Sequence, residues 1–71
     1  MLKRLTKREL QIAQLVSEGL SNKVIGRRLD TSDGTIKVHL HNIFRKLNIE
    51  KRAALIAMVI HNQHALKANE T

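Results

Sequence analysis

Apolar residues between positions 32 and 48 recur with the period of an α-helix, and this spacing constrains the fold more than any other feature of the chain. They occupy positions i, i+4, i+7 and i+11, which share one helical face: Ile36, Leu40, Ile43 and Leu47, with Phe44 beside them. Thr31 or Ser32 can cap the start of this helix, and Asn48 can end it in a left-handed conformation. The pattern predicts an amphipathic helix that packs its apolar face on the rest of the chain.

Capping signals predict a first helix over about residues 7–18. Thr6 and Glu9 have the spacing of a capping box, in which each side chain binds a free backbone N–H at the start of the helix. Gly19 is placed to end this helix in a left-handed conformation.

The residues that follow predict a short second helix and a polar turn. Ser21 or Asn22 can cap this helix. Gly26 lies inside it, although glycine costs about 1 kcal/mol of helix propensity relative to alanine. It suggests the close approach of another helix, or equally a tolerated defect. Residues 30–33 are small and polar, as in a turn. Two helices joined by such a turn form a helix-turn-helix, here over about residues 22–41.

A fourth helix is predicted from about Lys51 to His61, with Glu50 as a weak cap. Apolar residues cover most of its circumference, so this helix needs burial on two sides. One side can pack on the domain, and the other side needs a partner.

These elements predict an all-α fold, a compact four-helix bundle that contains a helix-turn-helix. The 71 residues suffice for one domain, which we place at residues 5–65 between a flexible N-terminus (1–4) and a flexible tail (66–71). The chain has no cysteine, so neither a disulfide nor a thiolate metal site can stabilise it. No signal peptide or membrane-spanning apolar segment is evident, and we expect a cytoplasmic protein.

The charge of the chain favours a polyanionic partner. Thirteen lysines and arginines against six aspartates and glutamates give a net charge of +7, which attracts nucleic acid. The alternative is a charge that only solubilises the protein. Phe44 is the only aromatic residue, whereas proteins that bind single strands or RNA loops stack bases on aromatic side chains. Duplex DNA is therefore the favoured partner.

The polar face of the third helix carries the candidate recognition residues. The major groove admits one helix, in which Lys37 can donate to guanine and Val38 can contact a thymine methyl group. His41 and Asn42 can reach bases from the same face, Asn42 toward adenine. Phosphate contacts are expected from the polar and basic residues around this face: Ser21, Asn22, Lys23, Thr31, Thr35 and Arg45. Each residue taken singly can equally be an ordinary surface residue, and only their combination indicates DNA binding.

Several stretches spread over most of the chain form a recognisable pattern. They are residues 5–9 (LTKRE), residues 19–25 (GLSNKVI), residues 31–40 (TSDGTIKVHL), Ile43, Lys46, Leu47 and Arg52. Together they cover about residues 5–61 and resemble the LuxR/GerE-type DNA-binding domain of bacterial response regulators, including the nitrate-regulator-like ones. The first two stretches are similar to that family's LTxRE and GxSNKEIA motifs, and Gly26 stands where the family usually has alanine.

The resemblance implies sequence-specific binding of double-stranded DNA in transcription regulation, by the output domain of a two-component response regulator or by a stand-alone member of the family. It implies that Lys37, Val38 and His41 face the bases, although many members have lysine where His41 stands. It also implies a homodimer through the last helix on a two-fold-related site, with RNA polymerase as a further partner. We expect this dimer to be weak without DNA and assign its contacts to Arg52, Ala54, Leu55, Met58 and Val59.

Other classes of function fit the residues less well. The chain shows no cysteine nucleophile, glycine-rich phosphate loop or paired-carboxylate site, and His39 and His41 are two residues apart on a helix and cannot share a metal. We therefore predict no catalytic residue, no metal and no cofactor. A protein-interaction module would explain the apolar last helix but not the basic face of the third. Duplex RNA is disfavoured because its A-form major groove is too narrow for a helix.

Overall fold

The computed structural model is all-helical over the part of the chain that it describes, which is the backbone of residues 2–70 and the side chains of residues 2–62. A 3₁₀ turn, Leu2–Arg4, precedes four α-helices. The helices are α1 (Lys7–Ser17), α2 (Asn22–Arg28), α3 (Asp33–Leu47) and α4 (Arg52–Glu70). This confirms the predicted all-α fold, in which α2 and α3 form the helix-turn-helix.

Hydroxyl side chains begin the first three helices. Thr6 and Glu9 form the predicted capping box: the Glu9 N–H donates to Thr6 Oγ1 at 3.1 Å, and the Thr6 N–H donates to Glu9 Oε1 at 2.9 Å. Ser21 and Ser32 cap α2 and α3, each accepting a hydrogen bond from the backbone N–H three residues later, at 3.2 and 3.1 Å. Glu50, predicted as a weak cap, lies two residues before the start of α4 and does not hold the cap position.

A left-handed residue ends each of the first three helices: Gly19 (φ 86°), Asp30 (φ 57°) and Asn48 (φ 54°). In each case the N–H of the following residue reaches back five positions to a helix carbonyl, at 3.4, 2.7 and 3.0 Å. This is the Schellman arrangement, in which glycine and asparagine are the usual left-handed residues. Gly19 and Asn48 are confirmed as helix ends, and Asp30 takes a role that its residue type did not indicate.

The core lies between the four helices. Its buried apolar residues come from every helix: Ile12, Ala13, Val16, Ile25, Ile36, Leu40, Ile43, Leu47, Leu55 and Val59. α1 packs against α3 and α4, whereas α2 packs mainly against α3. The apolar stripe predicted for the third helix is confirmed as buried, which leaves the opposite face of α3 open.

Two core residues of α4 were predicted to lie at a dimer interface. Leu55 is 0% exposed and Val59 is 1% exposed, so neither side chain can meet a second copy. Their assignment to a dimer interface is corrected: both belong to the core. The error arose because a helix that is apolar on most sides does not reveal which side faces its own domain.

Gly26 lies where α2 meets the start of α3. A Cβ built on this glycine would lie 2.9 Å from the carbonyl oxygen of Thr31, 3.0 Å from the carbonyl carbon of Ser32 and 3.2 Å from the nitrogen of Asp33. The predicted close approach at this glycine is confirmed, but the neighbouring backbone is the turn that leads into α3 and not another helix.

Both ends of the described chain contain regular structure. Residues 1–4 were expected to be flexible, and Leu2–Arg4 form a 3₁₀ turn in which Leu2 packs at the edge of the core. The Arg4 guanidinium donates to the carbonyl of Lys46 at 3.2 Å. At the other end, α4 continues to Glu70, beyond the predicted end near His61. The side chains of the predicted tail, 66–71, lie outside the described residues.

Candidate nucleic-acid interface

The face of α3 that points away from the core presents Lys37, Val38 and His41 to solvent. His41 lies four residues after Lys37 and three after Val38, and residues at these spacings are neighbours on a helix, so the three side chains form one patch. Val38 is 62% exposed, and burying such an apolar side chain on a partner is favourable. The structure thus brings three of the four predicted base-reading residues together on one open surface, which we call the recognition face.

Asn42, the fourth predicted base reader, lies at the edge of the recognition face and is half-buried. It lines a shallow cleft of about 260 Å³ together with Glu9, Arg45 and Lys46. Its amide is therefore less open to a partner than the side chains of the recognition face.

Most of the residues predicted to bind phosphate are open to solvent. Lys23, Thr31, Thr35 and Arg45 are exposed. Thr35 Oγ1 lies 3.0 Å from Ser32 Oγ, and either hydroxyl can be the donor of that bond. One of the two hydroxyl protons is used in this bond, and the other is free to donate to an acceptor outside the chain.

Ser21 and Asn22, the remaining predicted phosphate ligands, already use an acceptor atom within the chain. Ser21 Oγ accepts the backbone N–H of Val24 at 3.2 Å, and Asn22 Oδ1 accepts from Arg52 Nη1 at 2.8 Å. Both side chains keep their donors, the hydroxyl proton and the amide protons. Donors are what a phosphate oxygen requires.

Arg52 ties together three parts of the chain, a role that the sequence did not indicate. Its guanidinium donates to Asn22 Oδ1 at 2.8 Å and to the carbonyl of Leu20 at 2.7 Å. These bonds direct the guanidinium into its own chain, and they give no support to its predicted place in a dimer interface. One signal was present: a cation in the first turn of a helix opposes the helix dipole, so an arginine there needs acceptors nearby.

Glu9 and Lys46 form a second unpredicted link, between α1 and α3. Lys46 Nζ lies 2.7 Å from Glu9 Oε1, and Glu9 is only 6% exposed. Burial raises the pKa of Glu9, but the hydrogen bonds from Lys46 and Thr6 and the charge of Lys46 outweigh it, so the pKa lies below its ordinary value of 4.5. Lys46 is engaged in this pair, whereas Arg45 beside it is exposed.

The side of α4 that faces away from the core is apolar. Its exposed apolar residues are spaced as one face, which we call the outer face of α4: Ala53, Ala57 and Ile60, with the half-buried Ile56 beside them. Ile60 is 53% exposed. Ala54 and Met58, predicted as dimer contacts, are half-buried on another flank, where Met58 lines a groove together with Leu2.

Two further kinds of site were sought in the described part of the chain. Within it, no three histidine, aspartate or glutamate side chains are grouped so that they could hold a metal ion. None of the helices described there combines the length and the apolar character needed to cross a membrane.

Comparison with known proteins finds one family and many relatives. The family model described as "Bacterial regulatory proteins, luxR family" (GerE) matches residues 3–59. The nitrate/nitrite response regulator protein NarP of Escherichia coli (strain K12) is 41% identical over 61 residues, which are 86% of this chain and 28% of that protein. The monoamine regulon transcriptional regulator of Klebsiella aerogenes is 47% identical over 53 residues, 75% of this chain and 23% of that protein. The transcriptional regulatory protein DegU of Brevibacillus brevis is 40% identical over 58 residues, 82% and 25% respectively.

The chain spans less than a third of the length of these relatives. The residues matched by the family model take in α1, α2, α3 and the part of α4 that enters the core, so the resemblance seen in the sequence is confirmed. The chain belongs to the luxR (GerE) family of bacterial regulatory proteins.

Proposed function

We propose that this chain binds double-stranded DNA in a sequence-specific manner, with α3 seated in the major groove. One observation carries the proposal: Val38, a large apolar side chain, stands 62% exposed beside Lys37 and His41. A helix that reads the groove must bury one face on its own domain and offer unobstructed side chains on the other. α3 has both faces, and the net charge of +7 supports a polyanionic partner.

Base contacts are assigned to the recognition face. Lys37 donates to guanine O6 or N7, and Val38 packs on a thymine methyl group. His41 reaches a base edge or a phosphate from one turn further along the same face. Asn42 contributes at the border of the site, since its side chain is partly buried in its own chain.

Phosphate contacts surround the bases and set the orientation of α3. Lys23 and Arg45 supply charge on the two sides of the recognition face, and Thr31 and Thr35 supply donors beside the start of α3. Ser21 and Asn22 supply the donors that their contacts within the chain leave open.

A homodimer on a two-fold-related site is the assembly that we propose. The outer face of α4 is its interface, because Ile60 and the alanines at positions 53 and 57 are apolar and open. Ala54 and Met58 border this interface. One helix buries little area, so the dimer is weak in free solution and forms on DNA.

The setting of this function is bacterial transcription regulation in the cytoplasm, by a response-regulator output domain or a stand-alone regulator that also contacts RNA polymerase. Relatives named response regulators support the first of the two.

Selection from a random duplex pool tests the proposal. The expected product is an enriched sequence with two related half-sites about one helical turn apart or closer, bound with an affinity that falls steeply with salt. Failure to enrich any sequence, or equal competition by duplex RNA, would contradict reading in the major groove.

The dimer has its own test. Ile60→Asp places a charge on the outer face of α4 and is expected to weaken binding to a duplex with two half-sites while leaving a single half-site duplex bound as before. Gln11→Asp, which adds the same charge to an exposed position on α1, is the matched control. Equal losses on both duplexes would show that α4 does not join two copies.

A further inference from the structure

We propose that Arg52 is a positioning residue for a contact to the DNA backbone. It holds the side-chain amide of Asn22 so that the NH₂ group faces away from the chain and can donate to a phosphate oxygen. This inference rests on the proposed function: it explains how Asn22 is held so that it can donate to a phosphate.

Chemistry decides the orientation of the Asn22 amide. A guanidinium has five N–H donors and no acceptor, so the amide atom that lies 2.8 Å from Arg52 Nη1 must be the oxygen. The reversed amide would set two donors against each other. The NH₂ group therefore points to the other side, and among the described residues no side-chain hydrogen bond uses it.

Arg52 can hold this amide because its own guanidinium is fixed at a second point. Nη2 donates to the Leu20 carbonyl at 2.7 Å, and that carbonyl follows Gly19, the left-handed residue that ends α1. Two bonds from one planar fork fix its direction as well as its place. A lysine has a single ammonium group on a flexible chain and cannot reproduce this geometry.

The contact also joins two parts of the molecule that have different tasks. α4 packs mainly on α1, and α2 packs mainly on α3. Arg52 is the first residue of α4 and Asn22 the first residue of α2, so their bond links the helix of the proposed dimer directly to the helix of the proposed phosphate contact.

Four variants test the inference on the duplex obtained by selection: Asn22→Asp, Asn22→Ala, Arg52→Lys, and the last two combined. Affinity is measured by fluorescence anisotropy over a salt series, and the folding of each variant by thermal unfolding. Asn22→Asp keeps an acceptor for Arg52 but loses both amide donors, so its melting temperature is not expected to fall while its affinity falls about tenfold or more.

The remaining variants separate positioning from charge. Arg52→Lys loses the two-point fork that holds Asn22, so its affinity for the duplex is expected to fall about three- to tenfold. Because it keeps the charge, the slope of log affinity against log salt is not expected to change. Lys23→Ala is the contrast, because loss of a cation reduces that slope by about 0.9. The double variant binds no more weakly than Asn22→Ala alone, since both changes remove the same contact.

Four outcomes overturn the inference. If Asn22→Asp folds and binds DNA like the wild-type chain, Asn22 is not a hydrogen-bond donor to DNA. This result does not depend on how well Arg52→Lys folds. Losses that multiply in the double variant show that the two residues act separately. If the wild-type chain binds the duplex and Asn22→Ala binds it equally well, this inference alone is overturned. If the wild-type chain binds no duplex, the proposed function is overturned and the inference with it.

Discussion

Replacing Gly26 by alanine is expected to destabilise the chain by up to about 2 kcal/mol, because overpacking costs about 1–3 kcal/mol and the better helix propensity of alanine returns about 1 kcal/mol. The new Cβ would lie 2.9–3.2 Å from three backbone atoms of the turn before α3, whereas the ordinary van der Waals contacts of a Cβ lie at 3.4–4 Å. The turn is also held to α2 by the Thr31 N–H, which donates to the Gly26 carbonyl at 2.7 Å. Backbone tied in this way cannot withdraw as a flexible side chain could.

The opposing effect is the gain in helix propensity, about 1 kcal/mol for glycine to alanine. The other two glycines calibrate both effects. At Gly34 the nearest atom is Ser32 Oγ at 3.8 Å, so alanine there is expected to stabilise the chain by up to about 1 kcal/mol. At Gly19 there is open space but φ is +86°, and alanine should cost about 1–2 kcal/mol through backbone strain alone.

Urea and thermal unfolding of the three variants measure these differences. For a domain of this size each kcal/mol shifts the melting temperature by roughly 4–8 °C, so the two variants Gly26→Ala and Gly34→Ala should melt on opposite sides of the wild-type chain. Equal stability of these two variants would refute the reasoning, because it would mean that the turn yields without cost. Unchanged DNA affinity of Gly26→Ala would further show that the start of α3 had not moved.

Six more substitutions give distinct outcomes. Glu9→Gln should lower the free energy of unfolding by about 1–3 kcal/mol at neutral pH. Because the folded pKa of Glu9 is lowered, the stability difference between the two chains should shrink as the pH falls below 4.5. A stability difference that stays constant in urea titrations from pH 7 to 3 would contradict this prediction. Asp30→Val should lose about 1–2 kcal/mol in thermal melts because φ is 57°, while Asp30→Gly should not. Lys37→Ala should lower affinity for the selected duplex about 5- to 150-fold and relax one base position, whereas Arg45→Ala should weaken all duplexes alike and reduce the salt slope by about 0.9. Val38→Ala should leave stability within about 0.5 kcal/mol and reduce discrimination at one thymine in a repeated selection, and an unchanged preference would remove Val38 from the base readers.

Features that depend on neighbouring residues could be predicted from the sequence. The capping box of Thr6 and Glu9 and the helix ends at Gly19 and Asn48 need only residues within a few positions of one another. The buried stripe of α3 follows from the helical period in the same way. The place of the recognition face could therefore be predicted as well, because it is the side of α3 left over by the stripe.

Links between distant positions could not be predicted. Lys46 and Glu9 are 37 residues apart, and Arg52 and Asn22 are 30 apart. Periodicity tells which side of a helix is buried but not which residue of another helix lies opposite. A charged residue at a helix face is equally compatible with solvent, a ligand or a partner within the chain, and only the packing of the helices decides among them.

The rotation of α4 about its own axis shows how a polar contact can supply what an apolar pattern lacks. Because its apolar residues surround the helix, the hydrophobic effect alone favours several rotations. Arg52 removes this freedom, since its guanidinium must reach the Leu20 carbonyl. Residues three and seven positions further along share the face of Arg52, which turns Leu55 and Val59 into the core. The same rotation leaves Ile60 outside, so the bond that fixes the core also determines which residues α4 can offer to a second copy.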